Sequence, residues 1–282
     1  MPNLIRLGFH LSIAGAIANS SVEAISNDYM AFQIFTTSSR SWKNSDIEEE
    51  DCANFKRYNK EHDLRAYAHI PYLCNPASTN KDVYEKSKLM LAENMGNCEK
   101  LGIGNLVIHL GSHLGKGVSQ GIKNVCEAVN YGLDKNGKTT ILLENGSGYT
   151  NCVGSKFEEI GEIIDTVGSE RVGVCFDTCH AFAAGYDLRT AESVAKAMAG
   201  FDDAVGISRI RLVHLNDAKH ELGSGLDRHW HIGKGYIGID GFRSIFGNKA
   251  FGAGSFVMEL PEDIEGDHSD DMGAVMSIIG KS

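Results

Sequence analysis

The stretch His214–Gly238, HLNDAKHELGSGLDRHWHIGKGYIG, holds four of the chain's eleven histidines, with Asp217 and Asp227 among them. Imidazole nitrogens and carboxylate oxygens together are the ligand set of zinc, and they also suit manganese or iron. A polar surface loop has a similar composition. The entry argues otherwise, because Ile210-Arg-Leu-Val213 reads as a strand that ends on His214.

Other apolar runs end the same way: at His69, at His109, at Glu144, at Asp177 with His180 three residues on, and at Glu259. The loop after His214 adds Asp227 and His229. Taken singly, a histidine at a strand end is most often a satisfied polar residue, and a carboxylate there is most often a helix cap. Jointly they are five histidines and four carboxylates. Packing that many charges together is prohibitive unless cations neutralise them. Asp227-x-His229 puts both side chains on one face of an extended segment. Nine ligands are too many for one ion. At three protein ligands per ion they suit about three metals, with a carboxylate such as Glu144 bridging two.

The elements that must position these residues alternate. Strands are expected at Leu4–Gly8, Met30–Phe35, Leu64–Ala68, Asn105–Ile108, Thr139–Leu143, Val172–Phe176, Ile207–Val213 and Ser255–Met258. Helices are expected at Ala14–Ser26, from Ser45 onward, up to Leu101 with Gly102 as its stop, at Gly117–Leu133, from Ser155 onward, around Ala191–Met198 and near Asp271–Ile279. Ser45-Asp-Ile-Glu48 and Ser155-Lys-Phe-Glu158 both have the capping-box pattern. Ile47, Phe55 and Tyr58 would share one side of the first of these helices. The strands are short, apolar and β-branched, as strands buried on both faces should be. About eight βα units without a linker imply an α/β chain folded as one TIM (β/α)8 barrel domain over residues 1–282. All the strand ends then converge on the C-terminal face, where the sites of that fold lie.

Composition sets the outer bounds. The chain is 42% hydrophobic and 23% charged. Its seven scattered cysteines include no CxxC pair, which argues against a disulfide framework and for a reducing, cytoplasmic setting. No apolar run is long enough to span a membrane, and the N-terminus lacks a signal peptide pattern. A net charge of −10 argues mildly against a nucleic-acid partner, but three divalent ions would offset more than half of it. The acidic runs Asp46–Asp51 and Glu262–Asp271 read as solvated faces.

The motifs Asp177-Thr-Cys-His-Ala-Phe-Ala-Ala-Gly-Tyr186, His214-Leu-Asn-Asp217 and Asp227-Arg-His-Trp-His-Ile-Gly-Lys-Gly-Tyr236 resemble those of the endonuclease IV family. These are the zinc-dependent apurinic/apyrimidinic endonucleases of base-excision repair. His109-Leu-Gly-Ser-His113 and Leu143-Glu-Asn145 are shorter matches, and the resemblance runs from Gly8-Phe-His10 to Met258-Glu259. It implies a TIM barrel with three zinc ions. His69, His109 and Glu144 would hold the first; Glu144, Asp177, His214 and Glu259 the second; His180, Asp227 and His229 the third. It also implies attack of a metal-bound hydroxide on the phosphate 5′ to an abasic site in duplex DNA, giving a 3′-hydroxyl and a 5′-deoxyribose phosphate. Removal of 3′-blocking groups would accompany this activity.

A zinc cluster suits phosphodiester hydrolysis because it lowers the pKa of water and clamps developing charge. Glu144 is placed to orient or deprotonate the nucleophile. By the same resemblance, DNA would be met by Arg40, Trp42, Tyr72 and Arg228, with the arginines on phosphates and Tyr72 wedged into the stack. Ser41 stands where the family often has glutamine, and Leu110 where it has proline. A monomer is expected. Two other readings remain: a sugar isomerase or epimerase on a related barrel with one or two metals, and a barrel that binds damaged DNA without cutting it. His10 and His113 would line the mouth, orient ligands or be structural, and His231 has no assigned part.

Overall fold

A computed structural model describes residues 5–38, 41–42, 46–252, 254–259 and 268–280. Arg40 and Ser45, and with Ser45 the first expected capping box, lie outside them.

Eight parallel strands form the barrel: β1 (Arg6–Phe9), β2 (Ala31–Phe35), β3 (Arg65–His69), β4 (Asn105–His109), β5 (Thr140–Glu144), β6 (Val172–Asp177), β7 (Ile210–His214) and, after a two-stranded ribbon described below, β10 (Ser255–Met258). Their order is β1-β10-β7-β6-β5-β4-β3-β2. The seam between β1 and β2 is joined by Met30 N–H donating to Leu7 O (3.0 Å) and Leu11 N–H to Gln33 O (2.8 Å). That approach depends on Gly8, since a Cβ there would lie 1.7 Å from the Ala31 carbonyl oxygen. A TIM barrel is therefore the fold, as the alternating pattern implied.

The helices are α1 (Ala18–Ser26), α2 (Glu49–Glu61), α3 (Lys81–Leu101), α4 (Val118–Lys135), α5 (Phe157–Val167), the short α6 (Thr178–Ala183), α7 (Ala191–Ala204), α8 (Gly238–Gly247) and α9 (His268–Ile279). Side chains between helices and strands form one apolar shell, including Phe32, Ile34, Phe55, Leu91, Phe157 and Phe201. A smaller cluster fills the barrel itself: Ala31, Tyr67, Val107, Leu142, Cys175, Leu212 and Val257. All seven cysteines are free and buried.

The helix starts differ from expectation in three places. The first helix begins at Ala18, four residues late, because the Asp51 carboxylate accepts the Ile17 and Ala18 N–H groups at 2.8 Å and caps it from outside. The second begins at Glu49, so Ile47 precedes it rather than sharing its face. The expected box at Ser155 does not form: Lys156 is the N-cap of α5 with no side-chain cap, and Glu159 instead accepts the Gly154 N–H at 2.7 Å. A capping box does occur on α7, between Thr190 and Ser193. Two members of the acidic runs are also not solvated faces: Asp51 is the cap of α1, and Asp271 is 2% exposed, accepting the Ile232 N–H at 2.7 Å. Their carboxylates are held by backbone donors that a local sequence pattern does not reveal.

Candidate metal centre

Strand pleating explains the site. Side chains two residues apart share a face, so each residue of the inner apolar cluster has a partner one tier nearer the C-terminal mouth. The tier above Tyr67, Val107, Leu142, Cys175, Leu212 and Val257 is His69, His109, Glu144, Asp177, His214 and Glu259. On the remaining strands Ala31 leads to Gln33, and Gly8 leads to His10. The barrel thus carries a polar ring directly on an apolar plug. His180 follows in α6, and Asp227 and His229 approach across a small ribbon, β8 (Asp217–Ala218) paired with β9 (His229–Trp230).

Glu144 is the hub. Its Oε2 lies 3.1 Å from His69 Nε2 and 3.0 Å from His109 Nδ1, and its Oε1 lies 2.9 Å from His214 Nδ1. His214 Nδ1 is also 3.0 Å from Glu259 Oε2 and 3.8 Å from Asp177 Oδ2. His180 Nε2 and His229 Nε2 face Asp227 Oδ1 at 3.1 and 3.4 Å. The donor atoms sort by proximity into His69–His109–Glu144, into Glu144–Asp177–His214–Glu259 and into His180–Asp227–His229. A further grouping joins Asp177 and His229 to Cys179. Nothing in the sequence pattern marked this buried thiol, which donates to Arg228 O (3.6 Å).

Backbone acceptors fix the imidazoles. His69 Nδ1–H donates to Ile70 O (2.7 Å), His180 Nδ1–H to Asn145 O (3.0 Å) and His229 Nδ1–H to Glu259 O (2.8 Å). In each ring the other nitrogen is left with its lone pair toward a carboxylate. His180 Nε2 and His229 Nε2 are buried and have no hydrogen-bond partner among the described residues. Two orphaned imidazole nitrogens beside one carboxylate oxygen are a donor set that a cation satisfies, so these residues fit divalent metal ions. Asp177 serves twice: Oδ1 accepts the His180 N–H (2.7 Å) as the cap of α6, and Oδ2 accepts Asn216 Nδ2–H (2.7 Å).

The electrostatics show the strain on this set. Burial opposes a charge on His180, yet Asp177, Asp227 and Glu144 outweigh it and hold the ring well above the ordinary imidazole value. Burial is likewise outweighed at His214 by Cys175, Glu259 and Glu144. At His69 burial, helped by the charge of His109, outweighs Glu144, and the ring is lowered. Burial raises Glu144 and Glu259, but the neighbouring imidazoles, His109 and His214 for the first and His214 and His10 for the second, hold both well below the usual carboxylate range.

Of the four residues expected to meet DNA, three are described. Tyr72 is 60% exposed at the mouth, its ring stacked on His109 with centroids 5.4 Å apart. Arg228 is exposed, and its guanidinium donates to the Asp227 carbonyl. Trp42 is half-buried against the core, with Lys86 Nζ 5.8 Å from its ring. Arg40 is outside the described residues. Beside the candidate ligands lies a cavity of about 260 Å3, lined among others by Tyr72, His109, Glu144, Ser147, His180 and Asp227. Of the other histidines, His10 joins the polar ring, 3.0 Å from Gln33 Nε2. His113 Nδ1 accepts the Gly117 N–H in a turn, and His231 pairs with Asp271 at 2.8 Å. The sequence pattern passed over Gln33 and gave no part to Asn145 and Asn216, although both lie in quoted motifs; these side chains hold candidate ligands in place, and for Gln33 the signal was its position, two residues beyond Ala31 on the inner face of β2.

The chain is similar to known proteins over nearly its whole length. The family model of the xylose isomerase-like TIM barrels matches residues 23–277. A probable endonuclease 4 of Methanoculleus marisnigri is 42% identical, over 98% of this chain and 100% of the relative. Apurinic-apyrimidinic endonuclease 1 of Plasmodium berghei is 38% identical over 94% of this chain and 53% of its own length. The crystal structure of endonuclease IV from Thermus thermophilus superposes with a TM-score of 0.88 at 32% identity, covering 98% of this chain and 100% of that one. With the motifs at Asp177–Tyr186 and Asp227–Tyr236 now gathered around one mouth, these matches show that the chain belongs to the endonuclease IV family, on the xylose isomerase-like barrel.

Proposed function

We propose that this enzyme hydrolyses the phosphodiester bond 5′ to an abasic site in double-stranded DNA, leaving a 3′-hydroxyl and a 5′-deoxyribose phosphate. The observation that carries the reading is the sorting of nine side chains into three donor sets, two of which share Glu144. The name of the Plasmodium berghei relative supports abasic DNA as the substrate. We assign the sets to three zinc ions: His69, His109 and Glu144; Glu144, Asp177, His214 and Glu259; His180, Asp227 and His229. Ions held there would acidify water near neutral pH and offset charge on the attacking and leaving oxygens.

The chain's own residues do the rest. The Glu144 carboxylate, facing two donor sets, orients the attacking water and takes its proton. Tyr72 wedges into the stack beside the lesion, Arg228 meets a phosphate, and Arg40 and Trp42 extend the contact. Removal of 3′-blocking groups uses the same centre. The protein acts as a single-domain monomer in the cytoplasm; no helix among the described residues is long and apolar enough to cross a membrane.

The deciding experiment incubates the zinc-loaded protein with a duplex carrying one abasic-site analogue. Incision 5′ to the lesion is expected. Binding without incision would make it a non-cutting reader of damage. One or two zincs per chain, with no incision, would favour a sugar isomerase, which has no need of His69, His109, Asp227 and His229 together.

A further inference from the structure

Gln33 is fully buried, and it occupies the β2 position of the polar ring, where each of the other seven strands supplies a histidine or a carboxylate. Its backbone is already committed. Gln33 O accepts the Leu11 N–H at 2.8 Å and the residue bridges to His10, so it sits on the seam that closes the barrel. That leaves its side-chain amide with little freedom to move.

The amide makes three contacts. Gln33 Oε1 lies 2.9 Å from His214 Nε2, and Gln33 Nε2 lies 2.5 Å from Glu259 Oε1 and 3.0 Å from His10 Nδ1. Their donor and acceptor roles follow from one another. Glu259 accepts, so the amide nitrogen faces it and donates. The amide oxygen must then face His214, and only a protonated Nε2 can donate to it. A neutral His214 therefore carries its proton on Nε2 and presents the Nδ1 lone pair toward Glu144, Asp177 and Glu259. The second amide hydrogen faces His10 Nδ1, which also lies 3.4 Å from Glu259 Oε1.

We infer that Gln33 is a positioning residue for the middle metal: it sets the His214 tautomer that frees Nδ1 as a ligand and holds the Glu259 carboxylate against the same ion. The inference rests on the metal reading proposed above. It assigns a part to a residue that is neither acid, base nor ligand. Two ligands of one ion are tied to one rigid amide, so its loss must be felt at that ion before the other two.

The test uses the full-length protein and zinc alone, with stoichiometry and chelator competition as readouts. Gln33→Met keeps the side-chain volume and removes both hydrogen-bonding ends. One of three zincs should bind about 10- to 100-fold more weakly, with the other two unchanged. Gln33→Glu, a second variant should the first fold poorly, keeps an acceptor for His214 but turns oxygen toward Glu259, and should weaken the same ion. Ring-nitrogen NMR of the zinc-free protein at alkaline pH reads the tautomer directly: His214 should hold its proton on Nε2 in the wild type and in Gln33→Glu, and show mixed tautomers in Gln33→Met. Wild-type affinities at all three ions in Gln33→Met, or an unaltered His214 tautomer there, would overturn the role of Gln33 alone. Equal weakening of all three would also overturn it, as loss of general structure. A wild type that takes up no zinc would overturn the metal reading and this role with it.

Discussion

Glu144 Oε1 lies 2.9 Å from His214 Nδ1, and both side chains are fully buried. A carboxylate and an imidazole nitrogen at that depth must share either a proton or a cation. The same carboxylate turns its other oxygen to His69 and His109, so one group ties the first donor set to the second.

Glu144→Gln therefore removes the bridge's charge while keeping its shape. Incision of an abasic duplex should fall by about 10²- to 10⁴-fold, the range for loss of a positioned acid or base. Circular dichroism should be unchanged. Full activity in this variant would remove Glu144 from the mechanism.

Chelation should abolish incision, and added zinc should restore it. An ion bound to the native state alone stabilises it by about 4 kcal/mol at a thousandfold excess over its dissociation constant. The melting temperature should accordingly drop on stripping and recover with about three zincs per chain by elemental analysis.

The raised imidazoles give this a pH dependence. His180 and His214 are held well above 6.5 in the zinc-free protein, so their protonated forms stabilise its fold fully below 6.5, and that contribution is lost as pH rises through their folded values. Zinc needs the neutral rings and competes with those protons. The melting-temperature gain on adding zinc should thus grow as pH is raised above 6.5, and shrink below it. A gain that is flat across this window would show that the two rings do not take part.

Tyr72→Ala should weaken DNA binding with little effect on stability, because the ring is 60% exposed. Stacking of a base on an aromatic is worth about 1–3 kcal/mol, so KM or Kd for the abasic duplex should rise roughly 5- to 150-fold. Fluorescence anisotropy with the duplex reads this. An unchanged Kd would take Tyr72 out of the interface.

Gly8→Ala tests the barrel seam. Its Cβ would fall 1.7 Å from the Ala31 carbonyl oxygen, which is backbone and cannot swing aside. The cost should exceed the usual overpacking penalty of about 1–3 kcal/mol, measured by urea denaturation.

Much of this protein was legible in its sequence. Short buried strands alternating with amphipathic helices required a barrel, and the recurrence of His, Asp or Glu at their ends marked the mouth, because period-two pleating and a common strand direction leave such residues only one place to meet. The nine candidate ligands from His69 to Glu259 needed nothing more to be found. What only the tertiary structure decided was the pairing between distant segments. Asp51 caps a helix thirty-odd residues away, Asp271 anchors the His231–Ile232 loop, and Gln33 ties His214 to Glu259 across the barrel. A neutral amide carries no local signature of such a task. Its meaning comes from which donors and acceptors the closed barrel brings within 3 Å of it, and closure is a property of all eight strands at once.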